Sequence, residues 1–77
     1  MEWTEVLKKY KFNIYDKCNC HGAYTEKFTD IDKVWRVVVK PTRQVFELYK
    51  FSNFKATDYT HNLEQILNKH GITIQNT

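Results

Sequence analysis

Two runs in the middle of the chain, VWRVVVK at 34–40 and QVFELYKF at 44–51, alternate regularly enough to constrain most of what the chain can fold into. Val and aromatic density marks both as strands, and the link Lys40-Pro41-Thr42-Arg43 reads as a hairpin turn, with Pro41 pre-setting its backbone dihedral. Side chains on a strand alternate between faces, and a two- or four-residue loop keeps the same parity. One face therefore carries Trp35, Val37 and Val39 opposite Phe46 and Leu48, apolar until Lys50. That face is the expected core. The other carries Val34, Arg36, Val38 and Lys40 opposite Val45, Glu47, Tyr49 and Phe51, with Arg36 and Glu47 expected as a cross-strand pair.

The flanking segments supply the cover. Trp3, Val6, Leu7 and Tyr10 recur at helical spacing, so residues 2–10 read as a short amphipathic helix. Glu2 and Glu5 suit its positive end, and Lys8, Lys9 and Lys11 its negative end. From Phe12 the period changes. FNIYDKC and AYTEKF suggest a first hairpin through Asn19-Cys20-His21-Gly22, followed by a polar turn at TDIDK in which Asp serves backbone hydrogen bonds. Residues 58–70 read as a second helix, with Tyr59, Leu63, Ile66, Leu67 and His70 on one stripe. Thr57, Asp58 or Thr60 stands ready to cap it, and Gly71 to end it. The tail ITIQNT is expected to add a short edge strand or to fray. The expected fold is α+β, spanning 1–77 as one small two-layer domain. It has a short N-terminal helix, an antiparallel meander of three to four strands, and a C-terminal helix on one sheet face.

At 77 residues such a domain has little to spare, burying about 60% of its unfolded surface. Its five Phe, five Tyr and two Trp matter for that reason: rings supply bulk that a short chain lacks in aliphatics. No run approaches the ~20 apolar residues of a membrane span, and the opening MEWTEVLKKY lacks the apolar core of a signal peptide. The expected location is the cytoplasm. Ten of the twelve basic residues are Lys, a bias that fits an AT-rich genome such as a phage's.

Soft metal ligands gather only at Cys18, Cys20 and His21. Zinc favours paired C-x₂₋₄-C knuckles, whereas here the spacing is C-x-C with no second pair, so no metal or other cofactor is expected. A bridge across one residue would be strained, so both cysteines are expected as free thiols in a reducing compartment. A thiol next to an imidazole in sequence is not thereby next to it in space. No phosphate-cradling Gly-rich loop, H-E-x-x-H or G-x-S-x-G is present. The chain reads as non-enzymatic, with no small-molecule substrate inferred.

Two binding readings remain. The first is a protein-interaction or assembly module, with a protein partner or a second copy docking on Arg36, Val38, Val45, Glu47, Tyr49 and Phe51, or on a sheet edge. The second is a small basic nucleic-acid-binding domain using Lys8, Lys9, Lys11, Arg36, Lys40 and Arg43, which the net charge of +3 permits. The order of elements resembles the double-stranded-RNA-binding domain in outline. That family opens its last helix with a basic K-K-x-x-A-K patch, where this chain has the nearly uncharged Thr57-Asp58-Tyr59-Thr60-His61-Asn62, and no assignment to it is made.

Overall fold

A computed structural model describes residues 2–19 and 24–74. The chain forms helix α1 (Trp3–Lys9), strands β1 (Asn13–Cys18), β2 (Thr25–Thr29), β3 (Trp35–Lys40), β4 (Val45–Lys50) and β5 (Asn53–Tyr59), a 3₁₀ turn (Thr60–Asn62) and helix α2 (Leu63–Lys69). The strands make one antiparallel meander in the order β1-β2-β3-β4-β5. This is the expected α+β architecture with one strand more than expected.

The alternation in the central hairpin holds. Val37, Val39, Phe46 and Leu48 are fully buried, and Val6, Leu7, Tyr10, Phe12, Leu63, Leu67 and Ile72 close over them from the helical side. Trp35 packs at the rim, its ring under the Lys50 ammonium at 5.3 Å. Trp3 meets Phe28 edge-on at 5.9 Å, which anchors the first turn of α1 to β2. Between the helices the Tyr10 hydroxyl donates to Glu64 Oε2 (3.0 Å), and Lys9 Nζ lies 2.6 Å from the same oxygen. These two contacts hold the Glu64 carboxyl below its ordinary range, Lys9 contributing most, while burial pushes the Tyr10 phenol up.

Both helices end in the same way. In α2 the N–H of Gly71 donates to Asn68 O and that of Ile72 to Leu67 O, with Gly71 at φ +80°. In α1 the N–H of Lys11 donates to Lys8 O and that of Phe12 to Leu7 O, with Lys11 at φ +64°. Each is a Schellman cap whose following residue, Ile72 or Phe12, drops into the core.

The fifth strand corrects the reading of residues 51–62. Phe51 (φ +50°) and Ser52 (φ +72°) form the two-residue turn between β4 and β5. Such a turn ordinarily advertises itself by Asn-Gly or Gly-Gly, because left-handed backbone is cheap for those residues. Neither is present, so Phe51 reads as the end of β4 rather than as a turn. The second helix accordingly begins at Leu63 instead of 58, and Tyr59 ends β5 facing solvent. Asp58 accepts from the Tyr59 N–H (2.6 Å) and from Asn62 Nδ2 (3.1 Å), tying the strand end to the 3₁₀ turn; these bonds lower its pKa, the one from Asn62 most. Residues 72–74 carry no strand.

Asp30 serves the 30–33 turn as expected, its Oδ1 accepting from the N–H groups of Val34 (2.9 Å) and Trp35 (3.2 Å). The two edge strands each carry a register shift, at Ile14/Asp16 in β1 and opposite Leu48/Tyr49 in β5. Bulged edges offer a poor template for further strand pairing. Among the described residues no helix is long and apolar enough to cross a membrane.

Candidate functional site

With both helices on one side, the opposite sheet face stands open. β3 presents Arg36, Val38 and Lys40, and β4 presents Tyr49, Glu47 and Val45 directly across from them. Lys27 of β2 stands opposite Val38. On β5, Phe54 pairs with Tyr49 and Tyr59 with Val45. The Tyr49 and Phe54 rings meet edge-on at 5.8 Å. On β1 Tyr15 faces this side by alternation from Ile14, with Arg36 5.9 Å over its ring, and the bulge sets Asp16 across from Lys27.

The centre of this face is a shallow concavity of about 430 Å³ walled by Tyr15, Lys27, Arg36, Lys40, Glu47 and Tyr49, with Val38 and the small Thr25 and Ser52 completing it. A second hollow of about 260 Å³ shares Tyr15 and Arg36 and adds Thr29 and Lys33. Three cations thus face a single carboxylate around the larger hollow. That carboxylate is already engaged: Glu47 accepts from the Tyr49 hydroxyl at 2.9 Å and lies 3.6 Å from Lys40 Nζ. Burial, and then the bond to Glu47, pushes the Tyr49 phenol above its usual range. No salt bridge among the described residues engages Lys27 or Arg36. The face therefore offers an excess of cations, aromatic rings and a short apolar floor.

Of the residues expected to form a docking face, Arg36, Val38, Val45, Glu47 and Tyr49 are together on it. Phe51 is not. It sits at the turn, 64% exposed, where its left-handed backbone removes it from the strand's alternation. The expected Arg36–Glu47 pair is also corrected: the register sets Arg36 across from Tyr49, and Glu47 finds Lys40 instead. The residues expected to bind nucleic acid are divided. Arg36 and Lys40 are on the face, and Arg43 is exposed in the adjoining β3–β4 loop. Lys8, Lys9 and Lys11 belong to the helical layer, with Lys9 paired to Glu64.

Tyr15, Lys27, Phe54 and Tyr59 are the face residues that sequence reasoning missed. Tyr15 and Lys27 had a signal, since they alternate with Ile14 and Phe28 in the first hairpin. Phe54 and Tyr59 had none without β5. Cys18 closes β1 and is disulfide-bonded, which corrects the expectation of a free thiol and removes the inference from thiols to a reducing compartment. Cys20 and His21 lie outside the described residues, among which no three His, Cys, Asp or Glu side chains gather as a metal site.

No protein-family model, curated protein or solved structure matches the chain.

Proposed function

We propose that this chain is a non-enzymatic interaction module that works by holding a partner on its open sheet face. One observation carries the reading: among the described residues helices cover the five strands on one side, and the other side gathers Tyr15, Tyr49, Phe54 and Tyr59 with Lys27, Arg36 and Lys40. Rings of this kind give large contact area at little entropic cost, and Tyr and Arg are favoured where binding energy concentrates. The bulged edges make strand addition the less favoured route. An accessory or structural component of a phage or mobile element is the setting that the lysine-rich composition favours. A cytoplasmic site of action belongs to the same proposal, and the Cys18 disulfide is what weighs against it.

The test is the double variant Tyr49→Ser/Phe54→Ser, with its fold checked by circular dichroism. In pull-downs from cells that encode the chain, it should lose what the wild type retains, protein or nucleic acid. It should also lose any concentration-dependent rise in solution mass. Retention of the same material by a folded variant overturns the reading.

A further inference from the structure

We infer that the partner held on the open face is a single-stranded nucleic acid, lying across the concavity with its bases on Tyr15 and Tyr49 and its phosphates on Lys27, Arg36 and Lys40. This rests on the open face being the working surface and names what occupies it. Charge comes first. The walls of the hollow carry three cations against Glu47, and Glu47 is already met by Lys40 and by the Tyr49 hydroxyl. Asp16 stands across from Lys27 on the same face without pairing to it, so the face carries three cations against two carboxylates, and the positive balance favours an anionic occupant.

The interleaving of rings with those cations narrows the class. A single strand repeats one phosphate and one flat base in every unit, and an acidic peptide has no such pairing of charge with ring. Tyr15 on β1 and Tyr49 on β4 lie three strand spacings apart, about 14 Å, so they serve different nucleotides of one strand. Tyr15 is 48% exposed with Arg36 5.9 Å over one face of its ring, which leaves the other face of the ring for a base and the guanidinium for the adjoining phosphate. A duplex keeps its bases stacked within and has no free base face to lay on either ring, so a single strand is favoured over a double one.

The probe is fluorescein-labelled dT15, followed by anisotropy with the intact chain at about 50 mM salt and then at rising salt. Binding is expected, with log affinity falling against log salt at a slope of about −2, as three phosphate contacts on a single strand require. Tyr15→Ser should weaken it about 5- to 150-fold. Lys27→Gln/Arg36→Gln/Lys40→Gln should abolish it, and a duplex of the same length should bind more weakly. Lys8→Gln/Lys11→Gln, on the helical layer, should leave it unchanged. Absence of dT15 binding at low salt overturns the inference. If Tyr49→Ser/Phe54→Ser still abolishes retention of a protein in that case, the open face stands with a protein occupant. Binding that is lost in the helical-layer variant and kept in the face variants overturns both.

Discussion

The two faces of the sheet are built from the same strands and have opposite fates. On β3, Val37 and Val39 are fully buried while Val38, between them, remains half-buried, and Arg36 and Lys40 reach toward solvent. On β4, Phe46 and Leu48 are sealed while Glu47 and Tyr49 border the open hollow. The covered face is apolar at its centre, with Glu26, Lys50 and Asp58 only at its margins, because two short helices have to be held there and neither is long enough to persist alone. The open face mixes rings, aliphatic stems and charges, a composition that tolerates water yet still offers contact area. Stability is thereby concentrated on one side and the capacity to bind on the other.

The strongest way to break that contrast is to empty the covered face. Phe46→Ala should cost about 3–5 kcal/mol in urea denaturation, enough to unfold much of a domain this small. A loss below 1 kcal/mol would mean that this side is not the core. A sharper comparison uses one substitution at adjacent positions. Val37→Thr buries a hydroxyl among apolar neighbours and should cost about 1–3 kcal/mol. Val38→Thr, on the open side, should stay within about 0.5 kcal/mol. Equal losses would erase the distinction between the faces.

The two helix ends give a smaller effect. Gly71→Ala places a Cβ in open space, so its cost of about 1 kcal/mol is that of left-handed backbone alone. Lys11→Gly should act in the opposite direction by a similar or smaller amount, because α1 uses the same cap without glycine. Thermal denaturation of both variants would show it.

The smallest effect is the pH response of the clamp between the helices. The folded-state pKa of Glu64 lies below its ordinary 4.5, so its contribution is present above that value and is lost as pH falls through the lower, folded one. Because the pair is partly open to solvent, the change is expected to be slight and weaker in salt. Comparing wild type with Glu64→Gln across acid pH should show a difference that disappears at low pH. A difference growing toward low pH would reverse the sign.

Much of this was legible in the sequence, and the exceptions have physical causes. The central pair could be read because period-two alternation and a proline-bearing turn agreed. The faces of α1, the α2 core residues Leu63, Ile66 and Leu67, and the Gly71 cap could be read from helical spacing. β5 could not. Its turn places Phe51 and Ser52 in left-handed backbone that residue preference does not forecast, and without it Phe54 and Tyr59 had no face. The bulge at Tyr15 is likewise invisible in alternation, although Tyr15 already had the parity of the open side. The partner of Glu47 depended on exact register, which parity leaves unfixed.

The most direct test of the account lies in three consecutive valines. In methyl NMR with a soluble paramagnetic agent, the signals of Val38 on β3 and Val45 on β4 should broaden strongly, while those of Val37 and Val39, on either side of Val38, stay sharp. Equal protection of Val38 and Val37 in protein shown to be monomeric would mean that something covers the second face, and the binding surface would not exist.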